Sequence, residues 1–228
     1  MTEIKKIVYI PLIVLILSFC GQGVYEEVCG MDKHTETKKA IFAGGCFWCM
    51  EEPFENIEGV LDVVAGYTGG ESKQPTYQAV TAGNTGHYEA VQVIYDPEVV
   101  AYESLLDIYW RSIDPTDSSG QFFDRGHQYR TAIFYANEKE RKIAEQSKAR
   151  LSHSGIFSVP ICTDIKPATS FYPAEDYHQD YYKRCPVDYR KYAEASGRKQ
   201  FLSKTWDGVT KRVVQEESVA ETDIKERL

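Results

Sequence analysis

Gly44-Gly45-Cys46-Phe47-Trp48-Cys49-Met50 decides how this chain is read. The apolar run Ala40-Ile41-Phe42-Ala43 precedes it, and Glu51-Glu52-Pro53-Phe54-Glu55-Asn56-Ile57 follows it. An apolar run, two glycines and then acids spell a buried strand, a tight turn and the first turns of a helix. Cys46 therefore falls at a strand-to-helix junction, where free backbone N–H groups favour a thiolate and lower the thiol pKa. A cysteine so placed is a candidate nucleophile. Phe47 and Trp48 beside it suggest an apolar pocket for a small substrate group. The competing readings are an inert packed cysteine and half of a zinc site. No second Cys-x-x-Cys pair exists and the five histidines lie singly, so no metal site is expected.

Toward the N-terminus, residues 1–20 read as a targeting segment. Lys5 and Lys6 precede an apolar stretch from Ile7 to Leu17 that is too short for a comfortable membrane span. Leu17-Ser18-Phe19-Cys20-Gly21 resembles a bacterial lipoprotein signal with Cys20 as the lipidated mature N-terminus. Phe19 departs from that pattern, which prefers a small residue. The alternatives are a signal peptide cut after Gly23 and an uncleaved anchor. Each takes the folded domain out of the cytoplasm, so the expected location is periplasmic or membrane-anchored, with contact to the membrane only through Cys20. Residues 21–39 are a polar linker holding an unpaired Cys29. The catalytic domain is expected over 40–206, and 207–228 form a charged tail.

Toward the C-terminus, Gly59 to Tyr67 reads as a strand followed by a Thr68-Gly69-Gly70 turn. Pro75 to Val80 is a short helix with Pro75 at its first position. His87 to Tyr95 alternates as a strand, with Glu89, Val91, Val93 and Tyr95 on its more apolar face. Tyr102 to Ser112 has helical spacing, with Leu105, Leu106, Ile108 and Tyr109 on the core side. Asp114 to Gln128 is a long polar loop, and long loops inside compact domains are usually functional. Tyr129 to Tyr135 is a strand, Asn137 caps a helix from Glu138 to Ser152, and Val159 to Ile165 is a last strand carrying Cys162. Glu175 to Arg184 and Asp188 to Glu194 are short helices. The expected fold is α+β, a two-layer sandwich with a central mixed β-sheet, flanking helices and an irregular C-terminal segment.

The length of 228 residues suits one sizeable domain. The net charge of −8 argues against nucleic acid as a partner. Six cysteines are too few for a disulfide scaffold at this length.

If the substrate carries an oxygen to be removed, that oxygen must be protonated. Glu89, a carboxylate on an apolar strand face, should have a raised pKa and donate that proton. Tyr77 and Tyr129 supply hydroxyls, and Asp124 orients them or a water. The alternative for each is a satisfied structural polar group.

The stretch around Cys46 also resembles the signature of the A-type peptide methionine sulfoxide reductases. The likeness continues in Gly66-Tyr67-Thr68-Gly69-Gly70, His87-Tyr88-Glu89-Ala90-Val91, Phe123-Asp124-Arg125-Gly126-His127-Gln128-Tyr129-Arg130 and Phe171-Tyr172-Pro173-Ala174-Glu175-Asp176-Tyr177-His178-Gln179. It spans Ala40 to Trp206. The resemblance implies an α+β fold and reduction of the S epimer of methionine sulfoxide, free and in proteins. It makes Cys46 the nucleophile, Phe47 and Trp48 the wall that receives the substrate methyl group, and Glu89 the acid. Tyr77, Asp124 and Tyr129 become the supporting polar groups. Cys46 would become a sulfenic acid, a second thiol would condense with it, and an external thiol such as thioredoxin would reset a monomeric enzyme that binds no cofactor. The runner-up is a thioredoxin-like thiol-disulfide oxidoreductase, which leaves Glu89 and Asp124 without a task. A third reading is a surface lipoprotein that only binds a partner.

The family often has Gly where this chain has Cys49, and many members carry resolving cysteines in a C-terminal tail. Here no cysteine follows Cys185. Cys185, before Pro186 on a turn, is preferred as the resolving thiol, with Cys49, one helical turn from Cys46, as the alternative. Cys162 is expected to pack in the core.

Overall fold

The computed structural model describes residues 36–207; the expected leader, Cys20, Cys29 and nearly all of the charged tail lie outside the described residues. β1 (Lys38–Gly44) runs through the middle of the sheet and is buried from Ala40 onward. It pairs antiparallel with β3 (Tyr88–Tyr95) on one side and β6 (Thr131–Tyr135) on the other. β2 (Val60–Thr68) lies beyond β3, and the two-residue β8 (Tyr172–Pro173) pairs with β2, both antiparallel. β7 (Asp164–Pro167) runs parallel to β6 at the opposite edge. The order β7-β6-β1-β3-β2-β8 is a mixed sheet, as the sequence predicts.

Strand side chains alternate between faces, and here the two faces differ in size. Ala40, Phe42, Ala65, Tyr67, Val91, Val93 and Ile133 lie in one large core with residues of α1 (Trp48–Glu55), α3 (Tyr102–Trp110) and α4 (Glu138–His153). Ile41, Ala43, Tyr88, Ala90, Ala132 and Phe134 form a smaller cluster on the other face, against Phe171. Phe42 is fully buried and stacks on Phe54 at 5.3 Å and on Tyr109 at 5.1 Å between ring centroids. Deleting such a ring costs roughly 3–5 kcal/mol. The register sets Phe42 opposite Val91 and Tyr67 opposite Glu89. Glu89 is two residues from Val91 and so shares its helix-covered face, toward the end of β1 where the chain turns to Cys46.

Several expectations need correction. Pro75 precedes the helix rather than opening it: Thr76 is the cap of α2 (Tyr77–Thr81), its hydroxyl accepting from Ala79 N–H. The strand expected from Val159 is the edge strand β7 and starts only at Asp164, so Cys162 is not in it. Pro160 has no N–H to give a ladder, and the Cys162 N–H donates instead to Pro115 O at 2.7 Å. Cys162 is half-buried, not a packed core residue. The helix expected over 175–184 breaks at Asp180, which adopts φ +53°. Asp176–His178 is a 3₁₀ turn, α5 spans Tyr181–Arg184 and α6 spans Pro186–Ala195. The break follows from competition, because Gln179 uses its amide on Ala65 N–H and on the Ala65 and Ala174 carbonyls. A further helix, α7 over 198–207, has no counterpart in the sequence reading. The polar loop holds a small hairpin, β4 (Gly120–Gln121) with β5 (Asp124–Arg125), before a 3₁₀ turn at His127–Tyr129.

Candidate active site

The turn between β1 and α1 admits little besides glycine. Gly45 has φ +83°, and a Cβ there would stand 2.5 Å from Gln121 Cβ. A Cβ on Gly44 would meet Met50 Sδ at 2.4 Å. Gln121 is held in turn, accepting from Asp114 N–H and donating to Asp114 O, each at 2.8 Å. The hairpin is thus tied to the loop that starts at Asp114, and it presses against the cysteine turn.

At the start of α1 no side chain of the helix itself supplies a cap. The Phe47 N–H donates to Glu89 Oε2 at 3.2 Å, so a carboxyl from β3 fills that role. Glu89 is 1% exposed and its other oxygen has no hydrogen-bond partner. Burial is the largest cause that pushes its pKa up to about 8; the Phe47 amide opposes it, and Asp124 adds to it. Glu89 is therefore a neutral acid with a proton available at neutral pH.

That neighbour changes the expectation for Cys46. Its thiol is not lowered: burial, the Cys49 thiol, Glu89 and Asp124 all push it up. The helix N-terminus favours an anion, but one of its amides already serves Glu89. Cys46 and Cys49 hydrogen-bond to one another. Cys49 carries the favoured negative charge, its pKa lowered to about 7, with the Cys46 thiol as the largest cause and Arg198 and Tyr189 assisting against burial.

Phe47 and Trp48 do form an aromatic wall. Phe47 is buried, with Tyr67 at 5.9 Å, Tyr77 at 6.4 Å and His178 at 5.1 Å between centroids. Trp48 stacks on Tyr181 at 3.9 Å, and its indole N–H donates to His178 Nδ1 at 3.1 Å. Tyr77 sits at the start of α2, its amide donating to Glu175. Its phenol is pushed up to about 12 by burial, then by Glu89 and Cys46. Tyr129 ends the 3₁₀ turn, hydrogen-bonds to Glu89, and is also raised, by burial first and Glu89 next. Asp124 accepts from Tyr192 OH, and burial raises its carboxyl. The structure thus brings together Cys46, Phe47, Trp48, Tyr77, Glu89, Asp124 and Tyr129.

The sequence reading missed His178, Tyr181, Tyr192 and Arg198. Arg198 is buried and donates to Gly44 O at 2.8 Å and Ser112 O at 2.6 Å, which clamps the end of β1 to the end of α3. A crowd of tyrosines near 172–192 was the one visible signal; Arg198 gave none.

The family model for peptide methionine sulfoxide reductase matches residues 38–210. The chain belongs to the peptide methionine sulfoxide reductase family. A peptide methionine sulfoxide reductase of Bacillus licheniformis is 59% identical over 167 residues, 73% of this chain and 92% of the relative. One from Listeria monocytogenes is 54% identical over 171 residues, 75% of this chain and 97% of the relative. Among solved structures, reduced Mxr1 of Saccharomyces cerevisiae superposes with a TM-score of 0.63 at 33% identity, covering 66% of this chain and 87% of that one. Methionine sulfoxide reductase A of Corynebacterium diphtheriae gives 0.58 at 33% identity, with 66% and 76% covered. As a methionine sulfoxide reductase of this type, the chain is an oxidoreductase, a peptide-methionine (S)-S-oxide reductase.

Among the candidate second thiols of this reductase, Cys49 bonds to Cys46, whereas Cys185 bonds to the Tyr181 hydroxyl at the start of α6. Among the described residues, no group of three or more His, Cys, Asp and Glu side chains is placed to hold a metal ion.

Proposed function

We propose that Cys46 attacks the sulfoxide sulfur while Glu89 protonates the sulfoxide oxygen, the two side chains meeting at the Phe47 amide. The observation that carries this reading is the buried, protonated Glu89 bonded to the residue after Cys46. Tyr77 and Tyr129, both beside Glu89 and kept as neutral phenols by burial, hold the oxygen by hydrogen bonds. Phe47 and Trp48 receive the methyl group. The resting pair is a neutral thiol and a neutral acid until a sulfoxide enters. The sulfoxide S–O bond then breaks and a Cys46 S–O bond forms. Methionine gains two electrons and Cys46 becomes a sulfenic acid.

Cys49 next attacks the sulfenic sulfur, water leaves, and a Cys46–Cys49 disulfide forms. Its lowered pKa and its contact with Cys46 support this role. A thioredoxin-like thiol restores the pair, the enzyme works as a monomer on oxidised proteins and peptides, and no bound cofactor is needed. The leader over 1–20 exports the enzyme, with a lipid on Cys20 as its anchor; the Lys5-Lys6 start and the apolar core support this.

The test is Cys46→Ser, expected to abolish release of methionine from a sulfoxide peptide with the fold retained. Substantial turnover in that variant would sink the assignment. For export, radioactive palmitate should label the membrane fraction and the label should vanish in Cys20→Ala. Mature protein in the cytosol with Met1 intact would contradict it.

A further inference from the structure

Behind the catalytic turn lies a cavity of about 580 Å³ between α1, α6 and α7. Its lining includes Cys49, Tyr189, Arg190, Ala193, Arg198 and Lys199. Cys46, Phe47, Trp48, Glu89, Tyr77 and Tyr129 do not contribute to it. Cys49, Glu52 and Pro53 share one side of α1, as positions three and four apart on a helix do, and that side lines the cavity. The redox pair therefore has two approaches. The sulfoxide reaches Cys46 past Phe47 and Glu89, and the cavity reaches Cys49 from the other side.

The cavity carries charges of both signs, with the cations in slight excess. Arg190, Arg198 and Lys199 line it against Glu52 and Glu194, and Tyr189 OH donates to Glu52 at 2.9 Å. Among the described residues no ion pair engages Arg190 or Lys199, and both are exposed at the mouth. The volume suits a small molecule and not a protein segment.

We propose that this cavity is the entry for a carboxylate-bearing low-molecular-weight thiol that reduces the enzyme by attacking Cys49. The inference rests on the reading of Cys49 as the resolving thiol. The thiolate attacks Cys49 Sγ, the Cys46–Cys49 bond breaks, and Cys46 leaves with the electron pair and takes up a proton. A mixed disulfide remains on Cys49. A second thiolate attacks the sulfur of the bound small molecule, Cys49 leaves as a thiolate, and the small disulfide departs. Two electrons pass from two thiols to the enzyme. Reduction and sulfoxide binding then use opposite sides of α1 and do not exclude one another.

The test uses the full chain oxidised by one equivalent of methionine sulfoxide, with the Cys46–Cys49 bridge verified by peptide mass spectrometry. Its reduction is then timed with mercaptoacetate, mercaptoethanol and cysteamine, rates being compared per thiolate. Mercaptoacetate should lead cysteamine by about threefold or more, the size of a partly screened ion pair. Arg190→Glu with Lys199→Glu should erase or reverse that order. Ala193→Trp, and separately Ser203→Trp on the α7 wall of the cavity, should slow every small thiol by roughly tenfold through lost access. Methionine release in the first turnover should be unchanged in both, which also shows that they fold. A trapped adduct should sit on Cys49. Unchanged reduction in both tryptophan variants, an adduct on Cys46, or a bridge that only thioredoxin opens would overturn the inference and leave Cys49 as resolver. Absence of the bridge after one turnover would remove the reading of Cys49 and the inference with it.

Discussion

Cys46 and Cys49 stand one helical turn apart, yet their surroundings push them in opposite directions. Cys46 lies in the turn before α1, and burial first, then the Cys49 thiol, keeps its own thiol protonated. The side that holds Cys49 faces Arg198 and Tyr189, and with the Cys46 thiol they bring it down to about 7. The surroundings of Cys46 are built by the sheet, through β3 and the hairpin. Those of Cys49 are built by the C-terminal helices. A helix N-terminus contributes typically about 0.3–1 kcal/mol to a charge; here burial at Cys46 and the bond from the Cys46 thiol to Cys49 are the larger causes, with Arg198 assisting Cys49. One side is suited to accepting a neutral sulfoxide and supplying a proton, the other to nucleophilic attack on an oxidised sulfur.

The comparison is broken most severely by Glu89→Gln. Glutamine keeps the shape but has no acidic proton, and general acid catalysis contributes about a hundredfold or more. Single-turnover release of methionine should fall by that order with the fold intact. An unchanged rate would remove Glu89 from its role. In the wild-type enzyme the same step should slow as pH rises through about 8, where Glu89 loses its proton; the glutamine variant should lack that limb.

Arg198→Met attacks the other side. It leaves the Gly44 and Ser112 carbonyls without their donor, a loss of roughly 2–3 kcal/mol that urea unfolding would measure. It should also raise the Cys49 pKa relative to the enzyme that keeps Arg198, both read from the pH dependence of alkylation in a Cys46→Ala background, where the contribution of the Cys46 thiol is absent from each. An alkylation profile unmoved in Arg198→Met would mean that Arg198 does not distinguish the two cysteines.

A smaller effect is expected at the junction of the two sides. Tyr192→Phe removes the hydroxyl that α6 donates to Asp124 on the hairpin. A hydrogen bond to a carboxylate contributes about 1.5–3 kcal/mol when made, less where water can replace it. Stability should fall by about 1 kcal/mol, and Asp124→Asn should cancel most of that difference in a double-mutant cycle.

The smallest effect in acid belongs to Glu51 of α1, which is buried, with Asp180 N–H donating to it at 3.0 Å. Burial pushes its pKa up to about 8. A carboxyl raised in the folded state contributes stability that is complete below its ordinary pKa and is lost as pH rises through the folded value. Glu89 acts in the same direction. Glu51→Gln should match the wild type most closely in acid, below the ordinary carboxyl pKa, and flatten the decline between there and about pH 8, so that the variant is the more stable at and above neutral pH. A variant whose stability falls over that range as the wild type's does would place the buried charge elsewhere.

Much of this was legible in local pattern. The apolar run before Cys46, the alternation from Tyr88 to Tyr95 and the Asn137 cap became β1, β3 and α4 with little displacement. Strand periodicity alone put Glu89 on the apolar face, and a buried carboxyl must be raised. Elements that rest on long-range partners were misplaced. The strand expected from Val159 starts at Asp164 because Cys162 N–H is used by Pro115. The helix expected through Asp180 breaks where the Asp180 N–H donates to Glu51 and the Gln179 side chain is held by the Ala65 and Ala174 carbonyls. β8 was missed because two residues carry no periodicity, and it exists only through its pairing with β2.

The sequence by itself determined the turn that carries Cys46, the strand face that carries Glu89 and the family, since each is written in adjacent residues or in a repeat of two. Only the tertiary structure decided which cysteine meets Cys46 and which sulfur bears the charge. Those outcomes depend on Arg198, Tyr189 and Tyr192, which lie far along the chain from the catalytic turn. Electrostatic interactions fall off with distance in space, and separation along a chain carries no record of that distance until the chain has folded.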